Sequence, residues 1–330
     1  MIPPNEIETA RGRLAAAARL LLICHLSPDG DAIGSLLGLG LALRAAGKEV
    51  VMACPDPVPE AFRFLPSWEE ITRSPEGNFD LIVVVDTSDP GRVGALQAAW
   101  DQRPDLVIDH HVTNLGFGKA NLVDATAAST AEVLADLLEP LQLPLTPEVA
   151  SCLLTGLVCD TLGFRTSYTS TRSLAATQRL MEAGASLYSV SAQALHRRSY
   201  SALRLWGEGL SRARMEDGIV WATLPLAARR AAGYGGNGDA DLADLLGTVR
   251  EAKVAIVFVE RPDGTIKISW RSVPGVNVAT LAMTYGGGGH APAAGAEIAG
   301  SMAEVEALVL QATRQLLREQ AEAAKLQTAE

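Results

Sequence analysis

The first half of the sequence alternates short apolar runs with longer segments whose apolar residues recur at helical spacing. The runs are apolar at almost every position, which is typical of strands covered on both faces of a parallel sheet. They are Leu20–Cys24, Glu49–Ala53, Leu81–Val85 and Leu106–Ile108. The predicted helices are Ile33–Ala46, Ala128–Leu138, a stretch from Thr146 to Cys159, and Thr171–Ala183. Ser129 or Thr130 is the candidate N-cap of the second of these helices, and Thr146 is that of the third. This alternation predicts an α/β fold with a doubly wound, mostly parallel sheet.

The second half has fewer strands, and they lie further apart in the sequence. The predicted elements are the strands Ile219–Leu224, Val254–Glu260 and Ile266–Arg271 and a closing helix from Met302 to about Lys325. Proline and glycine between the last two strands predict an antiparallel hairpin. Because 330 residues suffice for about two domains, we divide the chain into a domain of residues 1–188, a polar linker of residues 189–201 and a smaller α/β domain of residues 202–330.

Charge and composition limit the partners and the location of the protein. The chain has 38 acidic and 28 basic residues, a net charge of −10. This charge disfavours tight binding to long duplex nucleic acid, so any nucleic-acid substrate should be short. The sequence shows no apolar run approaching the roughly 20 residues of a membrane span, no secretory signal pattern and no paired-cysteine motif. We therefore expect a globular cytoplasmic protein that does not contact a membrane.

Imidazole and carboxylate side chains follow three of the predicted strands and one predicted helix. Because ligands of doubly wound sheets bind at the carboxyl edge of the strands, we expect these side chains to converge there. They are His25, Asp29 and Asp31 after the first strand, Asp86 after the third, Asp109, His110 and His111 after the fourth, and Asp160 after the helix. The sequence thus predicts one polar site on one rim of the sheet.

Six of these side chains suit a pair of divalent cations. Imidazole and carboxylate ligands without thiolates favour Mn²⁺, with Mg²⁺ or Co²⁺ as alternatives, over a structural zinc ion. The six candidate ligands are His25, Asp29, Asp31, Asp86, His110 and Asp160. We expect Asp86 to bridge two ions lying ~3.5–4 Å apart, with a shared hydroxide that attacks phosphorus.

A glycine-rich run in the second half predicts a site for an anion. The run Gly286–Gly289 allows close approach of the backbone to a ligand and presents amide groups, of which we assign Gly288 and Gly289 to the contact. His290 adds a donor, and Arg271 at the end of the hairpin would complete a phosphate clamp. The alternative is that the glycines serve only the shape of a turn.

Together these motifs resemble a known family. The order His25-x-x-x-Asp29-x-Asp31, Asp86, Asp109-His110-His111 and Asp160 resembles the DHH phosphoesterases, and the run from Gly286 to His290 resembles their DHHA1 domain. The chain is most similar to the subfamily of bacterial nanoRNases and pAp phosphatases (NrnA type). The resemblance implies an active site in the cleft between two domains, two Mn²⁺ ions, and hydrolysis of short RNA or DNA oligonucleotides, of about two to five nucleotides, to mononucleotides. It also implies dephosphorylation of 3′-phosphoadenosine 5′-phosphate (pAp) to AMP.

The resemblance also assigns the metal ligands and the groups around them. One ion would be held by His25, Asp29 and Asp86 and the other by Asp31, Asp86, His110 and Asp160. By the same resemblance, His111 acts at the scissile phosphate as a donor or general acid. Asp109 then orients its neighbours.

The substrate contacts implied by the resemblance lie in both halves of the chain. Arg271 and His290 would grip a terminal phosphate from the second domain. Asn114 would shape its loop or touch phosphate. Arg165, in the segment after Asp160, would contact the substrate, but the run Leu162–Thr166 departs from the family's Gly-Gly-Phe-Arg-Tyr-like pattern. This departure concerns the surface that contacts the bases and leaves the metal ligands unaffected.

Two other functions remain open at this point. The same site would serve a stand-alone phosphodiesterase for cyclic or linear dinucleotides such as c-di-AMP, pApA or pGpG. A nucleotide-binding regulator that retains the fold without catalysis is the alternative from another class, although its ligands are intact. The sequence is also compatible with a homodimer.

Overall fold

The computed structural model divides the chain into two compact units, Met1–Arg197 and Arg198–Glu330. It describes residues 2–236 and 238–327. Each unit contains its own sheet and its own hydrophobic core. We describe the two units separately.

The boundary between the units falls inside the segment 189–201, which the sequence predicts as a linker. Most of this segment is helical and does not form an irregular connection. It contains a π-helical turn, Ala192–His196, and the start of the next helix at Tyr200.

The first unit is built on a five-stranded parallel sheet, in agreement with the sequence-based prediction. Its strands are β1 (Arg19–Ile23), β2 (Glu49–Ala53), β3 (Leu81–Val85), β4 (Leu106–Asp109) and β5 (Asn121–Val123). Their spatial order is β2-β1-β3-β4-β5. The sequence pattern missed β5 because three residues with one buried side chain, Leu122, make no apolar run of strand length.

Six α-helices belong to the first unit. They are α1 (Pro4–Ala16), α2 (Gly30–Ala45), α3 (Thr130–Leu137), α4 (Pro147–Asp160), α5 (Thr171–Glu182) and α6 (Leu187–Ser191). Side chains of Ser129 and Thr146 cap α3 and α4 by accepting hydrogen bonds from backbone amides of the first turn. These caps are the start signals that the sequence shows.

The helices α2 and α4 pack in close contact on one face of the sheet. A Cβ atom at Gly34 would lie 2.5 Å from the carbonyl oxygen of Cys152, so only glycine allows this approach. The contact fixes the first turns of α2 against the middle of α4. The opposite face of the sheet is covered differently, by the 3₁₀-helical segment Pro90–Ala99, which packs on Val84 and Val107 through Val93 and Leu96.

The second unit contains a six-stranded mixed sheet. Its strands are β6 (Arg214–Glu216), β7 (Ile219–Leu224), β8 (Val254–Glu260), β9 (Thr265–Ser272), β10 (Gly288–His290) and β11 (Ala293–Ala299). The spatial order is β10-β11-β9-β8-β7-β6, and only β7 and β8 pair in parallel. The predicted hairpin is present as β8 and β9, with Gly264 in the left-handed region at φ 83°.

Helices cover both faces of the second sheet. They are α7 (Tyr200–Leu210), α8 (Leu226–Ala232), α9 (Leu242–Leu246), α10 (Ala279–Thr284) and α11 (Met302–Gln327). On one face, Phe258 and Trp270 are buried with Val309 of α11, and on the other Val257 is buried with Leu205 and Leu246. Within the part of the chain that the structure describes, no helix combines the length and apolarity that a membrane span requires.

Candidate metal centre

Strand and helix ends bring the predicted side chains to the carboxyl edge of the first sheet. The strands β1, β3 and β4 are parallel neighbours, so their carboxyl ends lie side by side. His25 comes two residues after β1, Asp86 follows β3, and His110 follows the last residue of β4. The helix α2 begins immediately after Asp29, and α4 ends at Asp160.

Asp86 lies at the centre of this cluster. Its carboxylate is buried, with Oδ2 3.4 Å from Nε2 of His25. Its Oδ1 lies 3.9 Å from Nε2 of His110 and 3.7 Å from Nδ1 of His111. The backbone of Asp86 is left-handed, with φ 53°, which is a strained conformation for a residue other than glycine. One carboxylate therefore faces three imidazoles from two different strand ends.

His25, Asp29 and Asp86 form one group whose ligand atoms all lie within 4.8 Å of one another. Nε2 of His25 is 3.9 Å from Oδ2 of Asp29. The other oxygen of Asp29, Oδ1, caps α2 by accepting the backbone N–H groups of Asp31 and Ala32. The cap therefore turns Oδ2 of Asp29 towards the imidazole.

Asp31, His110 and Asp160 form a second group within the same distance limit. Nε2 of His110 is 3.3 Å from Oδ2 of Asp160 and 4.0 Å from Oδ2 of Asp31. Both oxygens of Asp31 accept hydrogen bonds from the start of α3, from the backbone N–H of Thr130 at 2.6 Å and of Ala131 at 2.9 Å. The start of α3 thus holds this carboxylate in place.

The charges of the cluster fit a bound cation. Burial and, after it, the neighbouring carboxylates raise the pKa of Asp31 and of Asp160 well above the usual range for aspartate. A cation among these groups would favour the ionised carboxylates and so oppose both causes of the shift, the burial and the repulsion. Imidazole nitrogens and carboxylate oxygens are ligands of divalent transition metals and, for the carboxylates, of Mg²⁺. The donor set therefore fits divalent cations.

The pairing of His25 with Asp86 shifts the pKa of both groups. Burial by itself lowers the pKa of His25, but the hydrogen bond and charge of Asp86 outweigh it and raise the pKa to about 9. Burial raises the pKa of Asp86, and the hydrogen bond and charge of His25 lower it, with a net shift downward. Asp86 therefore stays ionised more readily than Asp31 and Asp160, whose pKa values are raised.

Asp109, His111 and Asn114 are linked by hydrogen bonds. Asp109 is fully buried; its Oδ1 lies 2.7 Å from Nδ1 of His111, and its Oδ2 accepts a 2.6 Å bond from Nδ2 of Asn114. Asn114 also donates to the carbonyl oxygen of Thr87 at 3.1 Å. Asp109 thus orients His111, and Asn114 ties the loop after β4 to the end of β3.

The two arginines predicted to bind substrate lie in different units and outside the metal-binding cluster. In the first unit, Arg165 is exposed and donates to the carbonyl oxygen of Leu162. In the second unit, Nε of Arg271 donates to Asp244, and Nη1 donates to the carbonyl oxygen of Trp270. Each arginine is thus held by neighbours within its own unit, and its assignment to the substrate stays a prediction.

The glycine run forms a strand and not only a loop. Gly288, Gly289 and His290 make up β10, all three are exposed, and β10 pairs with β11. At Gly289 the backbone has φ 139°, and a Cβ atom would lie 2.5 Å from the carbonyl oxygen of Ala293. The space around the Cβ position of Gly288 is open. Strand pairing therefore explains Gly289, while the sheet does not require Gly288.

Two residues of this region escaped the sequence analysis. Thr130, which the sequence shows only as a helix-cap candidate, donates its hydroxyl to Oδ1 of Asp86 at 2.8 Å. Arg92 places its guanidinium Nη2 3.2 Å from Nδ1 of His25. Thr130 is 44 residues from its partner and Arg92 is 67 residues from its own, so no local pattern points to either contact.

The fold and the cluster define a two-unit α/β protein with a candidate centre for divalent metal at the carboxyl edge of a parallel sheet. Residues 19–157 match the DHH family, N-terminal domain, and residues 229–319 match the DHHA1 domain. The chain belongs to the DHH family, as its motifs predict.

Comparison with individual proteins agrees with this assignment. The chain is 36% identical over 312 residues to the bifunctional oligoribonuclease and PAP phosphatase NrnA of Thermus thermophilus, covering 92% of this chain and 91% of that protein. It is 30% identical over 319 residues to the cyclic-di-AMP phosphodiesterase GdpP of Geobacillus thermodenitrificans, covering 87% of this chain and 46% of that one. Among solved structures, an exopolyphosphatase-related protein from Bacteroides fragilis matches with a TM-score of 0.89 and 25% identity, covering 97% of this chain and 99% of that one.

Proposed function

We propose that the chain is a metal-dependent phosphoesterase that cleaves short oligonucleotides, of about two to five nucleotides, to mononucleotides and converts pAp to AMP with two Mn²⁺ ions. The observation that carries the proposal is that two groups of imidazole and carboxylate ligands share the surroundings of Asp86. The similarity to the Thermus thermophilus oligoribonuclease and PAP phosphatase, which extends over nearly the whole chain, supports this substrate class.

The residues divide into two sets of proposed ligands. His25, Asp29 and Asp86 would hold one ion, and the other would be held by Asp31, Asp86, His110 and Asp160. When bound, two such ions supply a hydroxide nucleophile at neutral pH and neutralise charge on the phosphoryl oxygens. Mn²⁺ is our first choice because the set mixes nitrogen and oxygen ligands, and Mg²⁺ or Co²⁺ would also be accepted.

The remaining residues of the first unit orient the reacting groups. The hydroxyl of Thr130 holds Oδ1 of Asp86, so the central carboxylate is fixed before substrate enters. Asp109 orients the His111 imidazole, which we assign to the scissile phosphate as a hydrogen-bond donor and as the acid that protonates the leaving oxygen. Asn114 keeps Asp109 in place.

We assign substrate binding to residues in both units. Exposed backbone amides of Gly288 and Gly289 and the side chain of His290 would bind a terminal phosphate of the substrate. Arg271 would support them, although Asp244 already accepts one of its N–H groups. Arg165 would contact the substrate from the first unit, where its guanidinium is exposed. These assignments follow the family resemblance and the exposure of the groups.

A panel of substrates tests the proposed function. Purified protein with Mn²⁺ would be given a 5′-labelled diribonucleotide, a long single-stranded RNA, pAp, pApA and c-di-AMP, and the products separated. We expect turnover of the diribonucleotide and of pAp, and little turnover of the long RNA. Rapid cleavage of the long RNA without cleavage of the diribonucleotide would overturn the proposal.

The second candidate is a phosphodiesterase for cyclic or linear dinucleotides, which the similarity to the Geobacillus protein favours. Faster turnover of c-di-AMP or pApA than of pAp in the same panel would select it. A catalytically silent regulator would turn over none of the substrates while binding nucleotide. The variant Asp86→Ala distinguishes an enzyme from a silent regulator. An enzyme would lose turnover in this variant, whereas a regulator has no turnover to lose and would retain its nucleotide affinity.

A further inference from the structure

Arg92 places a positive charge beside the candidate metal centre. It lies in the 3₁₀-helical segment Pro90–Ala99, which follows β3. Its guanidinium Nη2 is 3.2 Å from Nδ1 of His25, and its carbonyl oxygen accepts a 2.7 Å hydrogen bond from the backbone N–H of Leu26. The side chain is half-buried. A backbone contact and a side-chain contact thus hold the same residue against His25.

The guanidinium of Arg92 has no carboxylate partner among the residues that the structure describes. It shares this with the half-buried Arg13 of α1, whereas four other half-buried arginines of the first unit have a carboxylate partner. Arg44 pairs with Glu70, and Arg172 pairs with Asp124. Since buried or half-buried charges in folded proteins usually have a partner of opposite charge, an anion from outside the chain would complete the environment of Arg92.

The tautomer of His25 determines whether Arg92 can donate a hydrogen bond to Nδ1 of this ring. Nδ1 of His25 lies 2.8 Å from the carbonyl oxygen of Leu26 and 3.2 Å from Nη2 of Arg92. One ring nitrogen can donate to the carbonyl or accept from the guanidinium, but not both. A metal ligand at Nε2, the atom that faces Asp86, requires the proton on Nδ1, which then donates to Leu26. In that state Nη2 of Arg92 has lost its acceptor.

We propose that Arg92 binds a phosphoryl oxygen of the substrate at the candidate metal centre. The proposal rests on the proposed phosphoesterase function. The planar guanidinium suits phosphate, because it presents parallel N–H donors and stays charged at all accessible pH values. A phosphate that contacts Arg92 would also lie near the ring of His25, because Nδ1 of that ring is 3.2 Å from Nη2 of Arg92.

The test compares Arg92→Gln, Arg92→Lys and a matched control. Arg73→Gln is the control because Arg73 is an exposed arginine of the same unit whose guanidinium donates to a backbone carbonyl, that of Pro55. Three kinds of measurement would be made on each variant: steady-state kinetics with pAp (kcat and KM), the affinity of inorganic phosphate for the Mn²⁺-loaded protein by calorimetry, and the number of bound Mn²⁺ by elemental analysis. Circular dichroism and the unfolding midpoint would establish that each variant folds.

We expect Arg92→Gln to weaken phosphate affinity and kcat/KM by about 10- to 100-fold, as for the loss of one charge-assisted hydrogen bond. The number of bound Mn²⁺ should stay at the wild-type value. Arg92→Lys should show a smaller loss, because it keeps the charge and loses the planar fork. Arg73→Gln should match the wild type in all three measurements. If Arg92→Gln does not fold, the lysine variant carries the same test.

Two results would overturn the proposal. One is an unchanged phosphate affinity in Arg92→Gln. The other is a loss of bound Mn²⁺ in Arg92→Gln together with a normal phosphate affinity of the protein that still holds Mn²⁺. That result would make Arg92 a positioning residue for His25. Failure of the proposed function gives a different pattern, because the wild-type protein would then leave the whole substrate panel uncleaved while the phosphate calorimetry still reports on Arg92.

Discussion

The carboxyl edge of the first sheet and the β10 edge of the second sheet present their polar groups in opposite ways. At the first edge, Asp31, Asp86 and Asp109 are buried, and each accepts at least one hydrogen bond from a neighbouring group. At the second edge, Gly288 and His290 lie exposed on a strand of three residues. A buried cluster fixes ligand atoms in advance, whereas an exposed strand leaves room for a larger molecule. In our proposal, the first edge therefore carries out the chemistry and the second edge binds the substrate.

The largest effect should come from Asp86, the carboxylate that belongs to both proposed sets of metal ligands. Asp86→Asn keeps the size of the side chain but removes its charge, so both sets lose a ligand. We expect turnover to fall by more than the roughly 10- to 100-fold that is typical of residues that only orient ligands. Elemental analysis should show fewer bound Mn²⁺. The control is Asp101→Asn, an exposed aspartate of the same unit. Wild-type turnover in Asp86→Asn would contradict the proposal that the buried side chains at the carboxyl edge of the first sheet hold the metal ions.

Loss of the Thr130 hydroxyl, which orients Asp86, should have a smaller but measurable effect on Mn²⁺ affinity. Thr130→Val removes the 2.8 Å hydrogen bond to Oδ1 while keeping the shape of the side chain. We expect Mn²⁺ affinity to weaken by about 10- to 100-fold, because the carboxylate is no longer held in place. Thr130→Ser retains the hydroxyl and should restore most of the affinity. Equal losses in the valine and serine variants would mean that packing, and not the hydrogen bond, is responsible.

Two neighbouring glycines of β10 should differ in how much they contribute to stability. Gly289→Ala places a Cβ atom against the carbonyl oxygen of Ala293 at φ 139°, which should lower the free energy of unfolding by about 1–3 kcal/mol. Gly288→Ala places its Cβ atom in open space and should leave that free energy almost unchanged. Denaturant unfolding of the two variants measures the difference. Similar destabilisation by both substitutions would show that the strand as a whole, and not one close contact, requires glycine.

The smallest effect should come from the exposed histidine of β10. We expect His290→Ala to raise KM for pAp by about 10-fold, the size of one lost hydrogen bond to a charged group, with kcat and the Mn²⁺ content unchanged. His196→Ala is the control, since His196 is another exposed histidine outside the predicted sites. A loss of Mn²⁺ in His290→Ala would place this imidazole among the metal ligands and remove the contrast between the two edges.

The sequence predicted four of the five strands of the first unit and the convergence of polar side chains at their carboxyl ends, because both follow from local rules; that these side chains bind metal stays a prediction. Continuous apolar runs predict buried parallel strands, and polar residues directly after such strands must lie at one edge of the sheet. His25 and Asp86 could therefore be placed together although they lie far apart in the sequence. Start signals such as Ser129 and Thr146 predicted their helices for the same local reason.

The remaining features depend on contacts that no local pattern encodes. The sequence shows Thr130 as a cap candidate, but its bond to Asp86 exists only because α3 begins beneath the end of β3. The role of Arg92 depends on a segment that crosses from one strand to the next. The strand β10 was predicted as a loop because glycines carry no apolar periodicity, and its pairing with Ala293 and Ala294 becomes visible only in three dimensions.

The left-handed backbone at Asp86 has a consequence for the engineering and evolution of this protein. Glycine would occupy that conformation with less strain than aspartate, so relief of backbone strain at position 86 favours losing the carboxylate. The pairing with His25, which lowers the pKa of Asp86, opposes this loss at neutral pH. Any campaign to make the protein more robust therefore has to screen for catalysis at the same time, because a variant that gains stability at this position has lost the proposed shared ligand.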